Sequence, residues 1–92
     1  MKTSYRKLFL KDLSVYLSLP IFLKIKEIIF KDIPELENFN DIFKKFDIIQ
    51  IKGTANRYRI KIGDYRIGFE LNDNCIEFLR FLHRREFYRY FF

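Results

Sequence analysis

Arg57, Arg59 and Lys61 occupy alternate positions of one short stretch, with Tyr58, Ile60 and Ile62 between them. Successive side chains of a β-strand point to opposite faces, so this spacing gathers the cations on one face and the apolar residues on the other. Gly63-Asp64 then supplies turn chemistry. A second alternating run follows, with Tyr65, Ile67, Phe69 and Leu71 on one parity and Arg66, Gly68 and Glu70 on the other. If both apolar parities line one core, Arg66 joins Arg59 and Lys61 on the outer face of a hairpin. Positive charge clustered on a rigid sheet is what a phosphate-binding surface needs. A solvated sheet face carries the same pattern, and the alternation alone leaves both readings open.

The tail adds His83, Arg84, Arg85, Tyr88 and Arg89. Imidazole is the side chain that trades protons near neutral pH, so His83 is a candidate acid or base; a solvated histidine at a strand end is the alternative. Arg84 and Arg85 read as phosphate ligands or as surface charge, and Tyr88 as a site residue or a core aromatic. Arg80 reads as a structural partner of Glu70 or Glu77. Glycines 53, 63 and 68 are explained by turns and close strand packing, and the chain has no glycine-rich phosphate loop. Tyr58 and Tyr65 fall on the core parity, which argues against a stacking platform for single strands.

Composition points to the same kind of ligand. The chain has 92 residues and a net charge of +6. Residues 1–50 hold nine cations and seven anions, residues 51–92 nine and five, and seven of the eight arginines lie in the second part. Arginine suits bidentate phosphate contacts better than lysine, so an anionic partner is expected, nucleic acid being the commonest. A lone Cys75 and a lone His83 exclude an intramolecular disulfide and a Cys/His metal set. Cys75 is expected as a small buried hydrophobe. The N-terminus lacks a long apolar run and no segment reaches the length of a membrane span, so the chain reads as cytoplasmic, without a membrane association.

Residues 2–6 are expected as a short strand and 8–18 as a helix, with Phe9, Leu13, Tyr16 and Leu17 on one stripe. Pro20 fits the first turn of a second helix, whose inner face is Ile21, Phe22, Ile25, Ile28 and Ile29 and which Ile33-Pro34 ends. A helical turn is expected near 41–46, started by Asn40. Period-two patterning places strands at 48–52, 57–62, 65–71 and 75–82, with Asn72-Asp73-Asn74 as the last hairpin turn. Taken together, these elements predict one α+β domain over residues 1–92, an N-terminal helical hairpin packed on a twisted antiparallel sheet. The helices cover one face of that sheet and leave the other free to work.

FLKDL near the N-terminus, the IPE turn, KGTANRYRIKIGDYRIGFE and FLRFLHRREFYRYF together resemble the RelE/ParE superfamily of bacterial toxins, in order and over nearly the whole chain. The resemblance implies a toxin of a type II toxin–antitoxin system. In the RelE branch it implies an mRNA endoribonuclease that acts in the ribosomal A site and is held inactive by a cognate antitoxin. It places the family's strand cations at Arg59 and Lys61, the GDYR arginine at Arg66, the basic position after the last strand at Arg84 (or at Arg85, in an alignment shifted by one), and the C-terminal tyrosine at Tyr88. A histidine used by some relatives makes His83 a candidate.

The implied chemistry uses the RNA 2′-hydroxyl as nucleophile, gives a 2′,3′-cyclic phosphate and a 5′-hydroxyl, and requires neither metal nor cofactor. Arg59, Lys61 and Arg66 would bind phosphate and the transition state, His83 or Tyr88 would orient or deprotonate the 2′-hydroxyl, and Arg84 would assist the leaving oxygen or clamp the phosphate. Arginine at 59, where the branch has lysine, keeps the charge but is a poor proton donor. Two other readings fit the resemblance: a ParE-like inhibitor of DNA gyrase, and a degenerate toxin that binds only antitoxin and, through that complex, operator DNA.

Overall fold

Five segments pair into one sheet in the computed structural model, which describes residues 1–90: β1 (Lys2–Tyr5), β2 (Asp47–Gln50), β3 (Arg57–Ile62), β4 (Tyr65–Asn72) and β5 (Cys75–His83), in the spatial order β1-β5-β4-β3-β2. Strands β2 to β5 form the expected antiparallel meander. The turns behave as their residue types require. Asp73 and Asn74 take positive φ of 48° and 63° in the two-residue β4–β5 loop, and Gly63 takes +58° in the β3–β4 loop. The sheet becomes mixed at one edge, where β1 lies parallel to β5 with Lys2 opposite Cys75 and Tyr5 opposite Phe78. That partner comes from the far end of the chain, so no local pattern announces it.

Four α-helices accompany the sheet: α1 (Lys7–Val15), α2 (Phe22–Glu27), α3 (Ile42–Lys45) and α4 (Arg84–Tyr90). Helix α1 stops earlier than its apolar stripe suggested. Tyr16 has left helical geometry, and turns lead from it past Pro20 into α2. Residues Ile28–Asp32 continue α2 as a π turn, and the Ile33 N–H donates to the Ile28 carbonyl at 3.0 Å. Ile33 stays helical although it precedes Pro34. A proline ring in an α-helix meets the carbonyl four residues back, and the wider turn relieves that contact. The next helical turn is also assembled differently from expectation: a 3₁₀ turn (Phe39–Asp41) runs into α3, Asn40 lies inside it, and no side chain caps it.

Helices α1 and α2 with the π turn cover one sheet face as a hairpin. Phe9, Ile25, Ile29 and Ile33 meet Ile60, Ile67, Phe69, Phe78 and Phe81 in the main core. Tyr58 stacks on its cross-strand partner Phe69, and Tyr65 on Phe81, each with ring centroids 5.4 Å apart. The opposite face is covered as well. Helix α4 folds back over it, and Phe87 is buried with Ile51, Leu79 and Leu82 in a second cluster. From sequence, residues 84–90 read as a tail and this face as free; the buried Phe87 ring makes them a covering helix instead.

Candidate functional site

Strand pairing sets the site. Arg57, Arg59 and Lys61 of β3 lie opposite Glu70, Gly68 and Arg66 of β4, all on the α4 side of the sheet. Gly68 presents no side chain there, and the Phe87 cluster bridges it, from Leu79 and Leu82 on β5 to Ile51 beyond β2. Arg57 is drawn out of the group by a 2.8 Å bond from its Nε to Glu70. Hydrogen bonding from Asn72, then from Arg57, holds the Glu70 carboxyl below its ordinary pKa against the opposing effect of burial.

Arg59 and Arg66 share this face, as the alternation predicts, but they are not open to solvent: they are 8% and 7% exposed. This corrects the expectation of a free cation surface, and the cause is the α4 cover. Arg66 turns its Nη1 back onto the Gly63 and Tyr65 carbonyls at 2.8 and 2.9 Å. Arg59 reaches the exposed Asp47 on β2 through Nη2, at 3.4 Å. The Nε of each guanidinium is buried without a hydrogen-bond partner. A buried unsatisfied donor costs about 1–3 kcal/mol, more when charged, so this face holds two desolvated cations with donor capacity in reserve. An anion is the ligand that such groups are short of.

Lys61 is exposed, next to Arg66 in register, at the rim of a cleft of about 350 Å³. Lys24, Lys45 and Lys61 are balanced in that cleft by Glu27, Asp32 and Asp47, so the cleft itself has no cationic excess. Arg84 begins α4 at the same end of the sheet. Its N–H donates to the Asp64 carbonyl at 2.7 Å, and its Nε stands 3.8 Å from the Asp64 carboxylate. Tyr88 follows one turn later and is half-exposed, its ring edge-on to Phe87.

His83 is separated from the others. It pairs with Tyr65, stands edge-on to that ring, and accepts the Arg85 N–H through Nδ1 at 3.2 Å, on the helical-hairpin side of the sheet. The structure thus brings Arg59, Lys61, Arg66 and Arg84 to one face and end, carries Tyr88 on the helix that covers that face, and leaves His83 at the sheet's edge.

Of two carboxylates at the site, Asp47 is not announced by the sequence and Asp64 reads there only as a turn residue, since each owes its place at the site to cross-strand register or a helix start. Arg80 partners neither Glu70 nor Glu77. It is locked by Asp12 of α1, with bonds of 2.8 and 3.0 Å. Cys75 is half-buried beside Ser4. Among the described residues no group of His, Cys, Asp and Glu could hold a metal ion, and no helix is long and apolar enough to cross a membrane.

A small mixed sheet, a helical hairpin on one face and arginines under a terminal helix on the other define a recurring class of compact basic α+β protein. A family model described as the ParE toxin of the type II toxin–antitoxin system parDE matches residues 5–88. The chain is 44% identical over 91 residues to Toxin RelE3 of Methanocaldococcus jannaschii, covering 99% of each chain. The toxin-bearing RelB–RelE complex from Methanococcus jannaschii superposes with a TM-score of 0.76 at 41% identity, over 96% of this chain and 98% of that one. The archaeal RelE–RelB complex from Pyrococcus horikoshii gives 0.66 at 30%, over 90% and 93%. The chain belongs to the RelE/ParE superfamily and is a toxin of RelE type.

Proposed function

We propose that the toxin is a metal-independent endoribonuclease that cleaves mRNA on the ribosome. The observation that carries this reading is the pair of buried guanidiniums, Arg59 and Arg66, each with an unpartnered Nε on one sheet face. Preorganised donors in a low-dielectric site stabilise charge far better than solvated ones. RNA supplies its own nucleophile. Attack of the 2′-oxygen on the adjacent phosphorus, as its hydroxyl proton is lost, forms a 2′,3′-cyclic phosphate and breaks the bond to the 5′-oxygen, which takes up a proton in turn and leaves as a 5′-hydroxyl.

In this scheme Arg59, Lys61 and Arg66 hold the non-bridging oxygens, and Arg84 serves the leaving oxygen. Tyr88 is preferred to His83 for orienting the 2′-hydroxyl, since it belongs to α4, on the arginine side of the sheet, while His83 lies on the other side. Helix α4, which carries Arg84 and Tyr88, lies on this face and is anchored there by Phe87.

The partner proposed for the free toxin is a cognate antitoxin, as in the RelB–RelE complexes it resembles. Val15 and Leu23, 70% and 74% exposed, leave apolar surface on the helical hairpin for an amphipathic segment. Acidic residues of that segment would meet the basic chain, so affinity falls as salt rises. The antitoxin shields the arginine face or displaces α4.

A gyrase-directed activity is the second reading, favoured by the ParE description of the matching family model. One experiment separates the two. Purified toxin is added to translating ribosomes, with primer extension on the mRNA, and to gyrase on supercoiled DNA. Cuts in ribosome-bound mRNA support the endoribonuclease. Intact mRNA with gyrase trapped on DNA overturns it.

A further inference from the structure

Helix α4 has only seven residues, too few to hold itself together, so its place is set by what it touches. Its start is tied to Asp64 and its middle is anchored by Phe87. The third anchor lies outside the proposed reaction site. Strand β1 pairs with β5 only as far as Phe78, and beyond it the outer edge of β5 is uncovered and carries an irregularity in its pairing with β4. Asp12, buried on α1, fills that edge. Its Oδ2 accepts the Phe81 N–H at 3.0 Å and Arg80 Nε at 2.8 Å, while Oδ1 accepts Arg80 Nη2 at 3.0 Å. The guanidinium plane, clamped along one edge, stands 5.6 Å from the centre of the Tyr90 ring on α4.

We infer that Asp12 and Arg80 are positioning residues for α4, and through it for Tyr88. Capping one backbone N–H does not require an arginine, and an arginine paired for stability alone does not require its face against an aromatic ring. The fork and the ring together tie the hairpin layer to the helix on the other side of the sheet. Tyr88 sits between Phe87 and Tyr90, so its place follows from both anchors. Arg89 also stands 5.6 Å from the Tyr90 ring, but it belongs to α4 and cannot fasten that helix to anything. The link to Tyr88 chemistry rests on the endoribonuclease reading; the link to α4 does not.

The test uses the full chain in four variants. Tyr90→Leu removes the ring, Tyr90→Phe keeps it, Arg80→Lys keeps charge without the fork, and Arg89→Ala is the control. Amide hydrogen exchange is measured across residues 75–90, and cleavage of ribosome-bound mRNA is followed at saturating substrate. Tyr90→Leu and Arg80→Lys are expected to speed exchange in residues 84–90 roughly fivefold. They leave β5 unchanged and lower kcat with KM preserved. Tyr90→Phe and Arg89→Ala behave as wild type. Unchanged α4 exchange in Tyr90→Leu and Arg80→Lys overturns the inference. So does equal acceleration through β5, which marks a merely structural pair, and so does failure of Tyr90→Phe to restore the wild-type pattern. If the wild-type chain cleaves no RNA, the endoribonuclease reading fails and the exchange data still decide the anchor.

Discussion

Replacing Arg66 by methionine sets the structural and the chemical roles of one guanidinium against each other. Methionine keeps most of the buried stem and removes the charge, whereas alanine would add a cavity cost to any loss of charge. The substitution removes two hydrogen bonds, from Nη1 to the Gly63 and Tyr65 carbonyls. Bonds to a charged group contribute about 1.5–3 kcal/mol each. Two effects oppose that loss. Gly63 is exposed, so water replaces the donor at its carbonyl, and a desolvated cation with an unpartnered Nε disappears from the interior. The net destabilisation is then about 1–2 kcal/mol, a fall in melting temperature of roughly 4–16 °C for a domain of this size.

Loss of one preorganised stabiliser in the transition state costs about 3–4 kcal/mol, or roughly 10²–10³ in rate. With a total stability of about 5 kcal/mol or more, the folded fraction at 25 °C barely changes, so partial unfolding cannot imitate that rate loss. Thermal melts followed by circular dichroism, paired with single-turnover cleavage of ribosome-bound mRNA, read both quantities. Cleavage within tenfold of wild type would refute the role given to Arg66. A melting temperature lowered by much more than 16 °C would make it a structural residue first.

Lys61→Ala is the complementary case: exposed and outside the core, it should leave the melting temperature unchanged and reduce cleavage by one or more powers of ten in the same assay. Phe87→Ala should cost about 3–5 kcal/mol and free α4, read as lost melting temperature and as fast exchange confined to residues 84–90 at temperatures where the sheet persists. Gly63→Ala meets no clash, with Ile21 Cδ1 3.5 Å from the added carbon, so its expected cost of about 1–2 kcal/mol comes from a φ of +58°; a neutral result in denaturant titration would contradict this. The lowered pKa of Glu70 means its contribution is fully present above the ordinary value of 4.5 and is lost as pH falls through the depressed folded-state value; Glu70→Gln should flatten the stability–pH curve below that point.

Period-two alternation in β3 and β4 located the candidate cations and their common face, because pleat parity is a local property of the chain. Burial of that face was not local. It depends on Phe87, one ring in a seven-residue helix whose sequence is dominated by charge and tyrosine, with too short an apolar stripe to register as a period. The glycine at position 68 was the available clue: a strand position with no side chain leaves room for something to lie across it. The partner of Arg80 was misassigned because Glu70 and Glu77 are close in sequence, whereas Asp12 is reached only through the packing of α1 on the edge of β5. Adjacency groups His83 with Arg84, but His83 ends β5 with its ring against Tyr65, whereas Arg84 begins α4 on the other side of the sheet.

The placement of β1 beside β5 bears on how the chain comes into being. Lys2 through Tyr5 pair with Cys75 through Phe78, so the first strand made has no partner until nearly the last has been made. The segments between can collapse on their own hydrophobic residues, but the sheet closes only when its two chain ends meet, a pairing of high sequence separation that makes folding slow. The arginine face completes later still, with the arrival of α4. During its own synthesis, then, the toxin emerges with its cations unassembled until α4 has been made.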